Sequence, residues 1–245
     1  MIKFSLIIPV YNEKESVVFL YMSLRQVMDK LAQPYEIIFV DDCSLDGTFE
    51  ALSNLDLRPA NLIVAGLNKH SGQSVAMQAG FDISQGEWLI TMDGDLQNDP
   101  EDIILLRDEM IKGNYDIVCG WRHQRNDPLN RLLVSKIACV LRRVFTKENI
   151  HDFGCSFRIF KRGVLNNIYF SGGMHRFFVL IMHKLGYKIG EMKVKHNARR
   201  FGKSKYNLYN RLFECLVEFT SILLFDTHKV LHYKAKYQVE HIIRK

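Results

Sequence analysis

Short apolar runs alternate with amphipathic stretches of helical length through the first 120 residues. This alternation predicts an α/β fold, with a mainly parallel sheet and helices on both of its faces. The predicted strands are Phe4–Val10, Glu36–Val40, Leu62–Ala65, Trp88–Met92 and Asp116–Cys119. The predicted helices are Glu13–Leu31, Asp46–Leu55, Ser71–Ile83 and Pro100–Ile111, the last with Asp99 as its N-cap. Open α/β sheets bind ligands at the carboxyl ends of their strands, which here carry Tyr11, Asp41, Asp42, Asp93 and Gly120.

Beyond Gly120 the pattern changes, without a linker, an internal repeat or a low-complexity tract. The elements predicted there are a basic helix over 129–145, a strand Ser156–Phe160, a helix Met174–Leu185, a strand Lys188–His196 and a helix over 207–225. We expect this half to pack onto the sheet, giving a single domain over residues 1–225 whose halves meet at 120–121. Residues 226–245 are expected to form a short basic tail.

Charge is divided unevenly between the two halves. Residues 1–119 carry 8 Lys and Arg against 19 Asp and Glu, whereas residues 120–245 carry 25 against 8. The acidic half suits cations and the basic half suits phosphates or an anionic surface. The five cysteines contain no C-x-x-C pair, which favours reduced thiols over a zinc site or a disulfide framework. The longest late apolar run is far shorter than the roughly 20 residues that cross a bilayer, and the opening run is unlike a signal peptide.

Two carboxylates two residues apart, Asp93 and Asp95, follow the predicted strand Trp88–Met92. Mg²⁺ and Mn²⁺ prefer oxygen ligands, and Mg²⁺ typically uses one or two carboxylates plus substrate phosphates. The position of Asn98 and Ile104 after Asp93 excludes an EF-hand loop. The pair therefore indicates a divalent metal site, with an ordinary turn as the alternative.

Two more features lie at the same predicted edge. Asp41 and Asp42 could accept hydrogen bonds from a nucleobase or a ribose, although capping of the next helix is equally compatible with them. An acidic pair also resembles the phospho-acceptor pocket of receiver domains, but those place it after the first strand of a shorter chain. The polar loop 68–73, with Lys69 and Gly72, leads into a helix N-terminus where a diphosphate could bind. An ordinary loop and cap is the alternative there.

Three motifs taken together resemble family 2 glycosyltransferases of the GT-A fold. They are IPVYNE at 8–13, VDDCSLDGT at 40–48 and DGDLQ at 93–97. The resemblance implies a nucleotide-sugar donor whose nucleoside is held by Pro9, Tyr11, Glu13 and Asp41. It further implies that Mg²⁺ or Mn²⁺ on the donor diphosphate is held by Asp93, Asp95 and Gln97. We add Asp42, Lys69 and Gly72 to the predicted donor-binding set.

Motifs of the second half resemble the polyprenyl-phosphate branch of that family, which includes dolichyl-phosphate mannose synthases and bacterial undecaprenyl-phosphate enzymes. They are GWR at 120–122, DFGCSFR at 152–158, GMHRF at 173–177 and RRFGKSKY at 199–206, together with Arg131 and Ser135. The resemblance implies a lipid monophosphate acceptor and transfer with inversion. The candidate ligands of the acceptor phosphate are Arg122, Arg131, Ser135, Arg199, Arg200 and Lys203. The candidate catalytic residues are Asp95, Arg131, Arg199 and Asp152, the last orienting the sugar or a nearby arginine.

The residues of the second half are compatible with a lipid phosphate. Arg131 and Ser135 share one face of the predicted helix 129–145. Residues 193–211 hold seven Lys and Arg and no acid, interleaved with aromatic side chains, which suits phosphate or an anionic membrane leaflet. Nucleic acid also fits such a segment, but the acidic half would repel it, so we expect no nucleic-acid partner.

The predicted final helix, 207–225, carries a wide apolar face. That face could pack into the core, pair two copies in a homo-oligomer, or lie on a membrane surface. We expect a peripheral protein at the cytoplasmic face of a membrane. Two other readings remain: transfer to a saccharide or protein acceptor, with Asp152 as the general base, and a non-catalytic binding protein.

Overall fold

The computed structural model describes residues 1–55, 61–123, 150–166, 168–170, 172–199, 201 and 237–245. Their strands are β1 (Phe4–Val10), β2 (Tyr35–Asp41), β3 (Leu62–Leu67), β4 (Trp88–Thr91), β5 (Ile117–Arg122), β6 (Arg158–Lys161), β7 (Ile189–Val194) and β8 (Val239–Arg244). Their α-helices are α1 (Lys14–Lys30), α2 (Thr48–Ser53), α3 (Gln73–Ile83), α4 (Asp102–Gly113) and α5 (Phe178–Lys184). Short 3₁₀-helices span Arg162–Leu165 and Met174–Arg176.

All of these strands join one sheet in the order β7-β5-β6-β4-β1-β2-β3-β8. The central pairs β4-β1, β1-β2 and β2-β3 are parallel, as is β5-β7. Strand β6 lies between β4 and β5 and is antiparallel to both, and β8 is antiparallel to β3. The predicted α/β class is confirmed, and the sheet is mixed because strands from the second half of the chain enter it.

Both faces of the sheet are covered, which explains why the first strands are apolar throughout. On one face Phe4, Leu6, Ile8 and Val10 of β1 pack against the apolar stripe of α1. On the other face Ile7 belongs to a cluster formed with α3, α5 and the loops around them. Because β1 pairs in parallel with both β2 and β4, the carboxyl ends of these three strands lie at one edge of the sheet.

Several predicted boundaries in the described residues were wrong. The predicted helix Met174–Leu185 is a 3₁₀-helix followed by α5, with Phe177 between them. Helix α4 begins at Asp102, not at Pro100. The Asp99 carboxylate instead accepts a hydrogen bond from the Glu101 N–H (3.1 Å), so it caps the turn that precedes the helix.

The end of the chain differs most from its prediction as a basic tail. Residues 226–236 lie outside the described part, but Val239–Arg244 forms β8 on the open edge of β3. The N–H and C=O of Lys245 both bond to Leu62, at 2.9 and 3.0 Å. An uncovered strand edge offers unpaired backbone groups, and the Val and Ile residues of this short segment suit a strand although charged residues surround them.

The predicted basic helix 129–145 and the predicted final helix 207–225 fall on residues outside the described ranges. Among the helices that the structure does describe, none combines the length and the hydropathy needed to span a bilayer.

Candidate active site

Asp93 and Asp95 lie just beyond the carboxyl end of β4 and are only partly buried. The first carboxylate receives one side-chain hydrogen bond on each oxygen, from Gln73 Nε2 (2.7 Å) and from Ser156 Oγ (2.5 Å). The second accepts from the Gln97 N–H (3.1 Å) and lies 3.2 Å from Arg199 Nη2. Two acids from one strand end are thus held by partners from α3, from the segment before β6 and from the segment after β7.

The electrostatics of this pair suit a cation. Burial raises the pKa of the Asp95 carboxyl, the neighbouring charge of Asp93 raises it further, and Arg199 works in the opposite direction. Each carboxylate oxygen has two acceptor sites, so the bonds to Asp93 from the described residues leave one site per oxygen. These residues fit a divalent cation that takes its other ligands from a diphosphate and water.

Within the described residues, no group of three or more His, Cys, Asp or Glu side chains is placed to hold a metal ion. The predicted ligands are two carboxylates, Asp93 and Asp95, with Gln97 as the third predicted ligand. The Gln97 amide nitrogen donates to the Asn197 carbonyl (3.3 Å), which leaves its amide oxygen as the atom able to bind a cation.

Arg199 brings the basic segment onto the acidic site. Its Nη2 atom lies 3.0 Å from Glu13 Oε1 as well as 3.2 Å from Asp95 Oδ2. The arginine thus bridges the loop after β1 and the loop after β4. It was predicted as a ligand of the acceptor phosphate, and its place between these two acids puts it beside the predicted donor site.

The loops after β1 and β2 form one interlocked unit. Asn12, at a φ of 52°, donates its N–H to Ser44 Oγ (2.8 Å) and accepts from the Leu45 N–H (2.8 Å). The Glu13 N–H donates to Thr48 Oγ1 (2.9 Å). Two motifs that are separate in the sequence, IPVYNE and VDDCSLDGT, therefore form a single surface. A cavity of about 220 Å³ adjoins it, lined by Asn12, Glu13, Lys14, Glu15, Ser16, Asp46 and Phe201.

Asp41 and Asp42 at the end of β2 are bound within the protein. Asp42 accepts hydrogen bonds from the N–H groups of Ser71 (2.7 Å) and Gly72 (2.8 Å) and lies 2.9 Å from His70 Nδ1. Asp41 accepts from both the N–H and the hydroxyl of Ser44. Each residue is 3% exposed, and burial raises the pKa of both carboxyl groups.

These contacts bear on the loop 68–73, where the sequence leaves open a diphosphate or an ordinary loop and cap. The Asp42 carboxylate accepts from the N–H groups of both Ser71 and Gly72 at the start of α3, which favours the loop and cap. The anion that the helix N-terminus stabilises is thus supplied by the chain itself. Lys69 is exposed. The His70 ring stacks on Tyr11 with 4.1 Å between ring centroids, so this loop buttresses the predicted nucleoside site.

Asp152 forms a salt bridge with Arg122. Its oxygens accept from Arg122 Nε (2.7 Å) and Nη2 (2.9 Å), and from the N–H of Gly154 (3.2 Å). Burial opposes the charge of Arg122, but the bonds to Asp152 outweigh it and raise the pKa of the guanidinium. Of its two predicted roles, these contacts favour the orientation of a nearby arginine. A carboxylate bound in this way is a poor general base. Two nitrogens of Arg122, Nε and Nη2, bind Asp152.

Sequence reasoning missed Gln73 and Ser156, which contact Asp93 directly. It also missed the anchors of these residues. Ser74 Oγ accepts from the His175 N–H (3.1 Å) and lies 2.7 Å from His175 Nδ1. The fully buried Arg158 donates to the carbonyls of His175 (3.1 Å) and Phe153 (3.3 Å). The available signal was that Ser156, Arg158 and His175 fall inside the DFGCSFR and GMHRF motifs.

The other predicted site residues are Pro9 and four ligands of the acceptor phosphate. Pro9 lies in β1, two residues before Tyr11. The remaining predicted ligands of the acceptor phosphate lie outside the described residues: Arg131, Ser135, Arg200 and Lys203.

A family model described as glycosyl transferase family 2 matches residues 5–169. The chain is 35% identical over 232 residues to the dodecaprenyl-phosphate galacturonate synthase of Rhizobium johnstonii, covering 93% of this chain and 68% of that protein. It is 36% identical over 207 residues to the undecaprenyl-phosphate 4-deoxy-4-formamido-L-arabinose transferase of Yersinia enterocolitica, covering 84% of this chain and 63% of that one. The chain thus spans roughly two thirds of these relatives.

Solved structures share the fold at lower identity. Glucosyl-3-phosphoglycerate synthase from Mycobacterium tuberculosis, solved with Mn²⁺, UDP-glucose and phosphoglyceric acid, matches with a TM-score of 0.70 at 16% identity, over 90% of this chain and 79% of that one. TarS from S. aureus, residues 1–349 with UDP-GlcNAc, matches with a TM-score of 0.61 at 20% identity, over 92% and 68%. At such identities the likeness establishes the fold alone, and it confirms the predicted GT-A class.

Proposed function

Because the chain belongs to glycosyl transferase family 2, we propose that it transfers a sugar from a nucleotide-sugar to a polyprenyl phosphate. The donor is UDP- or GDP-linked, and the acceptor is of the undecaprenyl or dolichyl phosphate class. The names of these relatives, which specify dodecaprenyl and undecaprenyl phosphate, support this acceptor class. The basic composition of the second half supports it independently.

The observation that carries the proposal is the position of Arg199. This residue of the basic segment contacts Asp95 of the predicted metal pair and Glu13 of the predicted donor loop. A guanidinium there can hold phosphate oxygens beside the donor, where two anionic reactants would otherwise repel each other. One site can thus serve both a diphosphate donor and a phosphate acceptor.

In the proposed reaction the bond between the sugar carbon and the donor diphosphate breaks, and an acceptor phosphate oxygen attacks the opposite face. Inversion follows from that geometry. A bound Mg²⁺ or Mn²⁺ supplies Lewis-acid neutralisation of the departing diphosphate, and Asp93, Asp95 and Gln97 are the residues that would hold it. The donor nucleoside lies against Pro9, Tyr11 and Glu13.

The acceptor needs positioning more than deprotonation. A phosphate monoester has a second pKa of about 6 and is mostly ionised at neutral pH. No general base is therefore required to deprotonate the acceptor. The contacts of Asp152 support this, because both of its oxygens bind Arg122. Arg131, Ser135, Arg200 and Lys203 remain the proposed ligands of the acceptor phosphate together with Arg199. The reaction is proposed for the cytoplasmic face of a membrane, where a polyprenyl lipid would present its phosphate.

Mass spectrometry of the lipid fraction tests the proposal. The purified protein is incubated with undecaprenyl or dolichyl phosphate, with Mg²⁺ or Mn²⁺, and with a panel of UDP- and GDP-sugars. We expect a new lipid-phosphate-sugar mass that disappears when EDTA is added. If one nucleotide binds in a metal-dependent way but no lipid product forms, the acceptor assignment is wrong. Transfer that is unchanged by EDTA contradicts the metal.

Arg131→Ala separates the acceptor from the donor. We expect this variant to raise the apparent KM for the polyprenyl phosphate while nucleotide affinity stays at the wild-type value. An unchanged KM for the lipid would remove Arg131 from the proposed acceptor site.

A further inference from the structure

We propose that Ser156 and Gln73 are positioning residues for Asp93, which together fix its carboxylate in the orientation that binds the cation. This inference rests on the proposed function, since it takes Asp93 as a ligand of that cation. Ser156 Oγ donates to Oδ2 at 2.5 Å, and Gln73 Nε2 donates to Oδ1 at 2.7 Å. Each oxygen of Asp93 thus receives one bond from the protein, and neither bond comes from the strand that carries the aspartate.

Bonds from a neutral donor to a carboxylate are charge-assisted and short, so they hold both the rotamer of Asp93 and the plane of its carboxylate group. With one acceptor site of each oxygen filled, the open sites face a restricted direction. Partners of this kind, one layer behind the metal ligands, orient the ligands and tune the affinity for the ion.

Ser156 is itself held firmly. Its carbonyl accepts from Thr91 Oγ1 (2.6 Å), which ties it to the last residue of β4. The next residue, Phe157, accepts a bond from the Gly120 N–H (2.9 Å) of β5. The hydroxyl therefore projects from backbone that is anchored on both neighbouring strands, and its position relative to Asp93 is set by the sheet.

Gln73 is held equally well, by different contacts. It is the first residue of α3, and the two residues before it donate their N–H groups to Asp42. The residue after it, Ser74, bonds to the backbone and the ring of His175. The start of α3 is therefore fixed on both sides of the amide that reaches Asp93.

The contacts that hold Ser156 and those that hold Gln73 are also connected to each other. His175, which holds Ser74, accepts through its carbonyl from Arg158 (3.1 Å), two residues beyond Ser156. The buried Arg158 guanidinium thus connects the segment that provides Ser156 with the segment that secures Gln73. Together these contacts form a frame around Asp93, whereas Asp95 has only the Gln97 N–H and Arg199 as partners in the described residues.

The test measures binding of Mn²⁺ by the loss of its free EPR signal, in the presence of UDP and separately of GDP. The variants are Ser156→Ala, Ser156→Thr and Gln73→Met. The control is Ser84→Ala, since Ser84 is also a buried serine bonded within the protein, but at the opposite end of α3. We expect Ser156→Ala and Gln73→Met each to weaken Mn²⁺ binding about 10- to 100-fold. Ser156→Thr, which keeps the hydroxyl, should restore it, and Ser84→Ala should match the wild type.

Two results would overturn the inference: Mn²⁺ affinity of Ser156→Ala equal to that of the wild type, or an equal loss in Ser156→Ala and Ser84→Ala. Failure of the proposed function is distinguishable from both. If the wild type binds Mn²⁺ but makes no lipid product, the acceptor proposal fails and the variants still decide the role of Ser156. If the wild type binds no Mn²⁺ with either nucleotide, the metal site fails and the inference fails with it.

Discussion

Two strands of the sheet end in a pair of carboxylates, and the two pairs have different environments. After β2, Asp41 and Asp42 are almost fully buried and accept bonds from nearby loops, including two backbone N–H groups at the start of α3. After β4, Asp93 and Asp95 stay partly exposed and are met mainly by side chains, from Gln73, Ser156 and Arg199. We infer that a buried carboxylate bonded within the protein is structural, whereas a partly exposed carboxylate keeps acceptor sites that a ligand can reach.

Asp152 belongs with the first group although it lies in the second half of the chain. Its acceptor sites are occupied by Arg122 and by the Gly154 N–H. The acids of the site therefore form two groups, one structural and one available to bind a ligand. Removal of a structural acid should affect mainly stability, and removal of a ligand-binding acid should affect mainly activity.

The largest effect is expected for Asp95→Ala. Loss of a ligand of the proposed cation, which neutralises the departing diphosphate, should lower the transfer rate by about 100-fold or more. The thermal unfolding midpoint should stay near that of the wild type, because Asp95 satisfies only one described backbone donor, the Gln97 N–H. Lipid-linked sugar formation and circular dichroism measure the two quantities. Full activity in this variant would contradict the metal site.

Asp152→Ala should affect stability most. It leaves the Arg122 guanidinium buried without its carboxylate, and breaking a buried pair in this way costs about 3–5 kcal/mol in the free energy of unfolding. Urea denaturation measures the change. The double variant Arg122→Met with Asp152→Leu removes both charges and should recover much of the loss. If the single variant is as stable as the wild type, Asp152 does not belong to the structural group.

Asp42→Asn should give a smaller loss that depends on pH. An amide offers one acceptor oxygen in place of two, so a backbone N–H loses its partner at a cost of about 1–3 kcal/mol. Burial raises the pKa of Asp42 above its ordinary value of 3.8. The folded state therefore binds a proton more tightly than the unfolded state. The contribution of this group to the free energy of unfolding falls as the pH rises from 3.8 through the higher pKa of the folded state.

The asparagine variant lacks this titration. Its deficit relative to the wild type should therefore narrow as the pH is raised from about 4 to neutrality, which urea denaturation at several pH values can follow. A deficit in the free energy of unfolding that widens with rising pH would mean that folding lowers the pKa of Asp42. The bonds from Ser71 and Gly72 would then outweigh burial.

The smallest effect is expected for Lys69→Ala. If Asp42 is the anion at the start of α3, this exposed lysine has no diphosphate to bind there, and its removal should change the donor KM by no more than about twofold, as for other surface substitutions. A tenfold rise in the donor KM would place the diphosphate at this helix N-terminus. The end of β2 would then bind a ligand, as proposed for the end of β4.

The first half of the fold was predictable because its strands are buried on both faces and its helices on one. Strand β1 has the predicted bounds, and β2, β3 and β4 differ by a few residues at most. Prediction failed where the pattern was weak. The chain from Val239 to Arg244 is charged and short, and it forms a strand by pairing with the edge of β3. The split at Phe177 likewise depends on how α5 packs, which no local pattern specifies.

The sequence by itself determined that acids stand at the ends of β2 and β4, since strand length and apolar pattern are local properties. It also determined the basic character of the second half and the family motifs. Only the tertiary structure decided which acids remain accessible, because their partners are distant in the chain. Gln73 and Ser156 lie 20 and 63 residues from Asp93, and Arg199 lies 104 residues from Asp95. Hydrogen bonds depend on distance in space, so the roles of chemically identical carboxylates are settled by the packing that brings those partners to them.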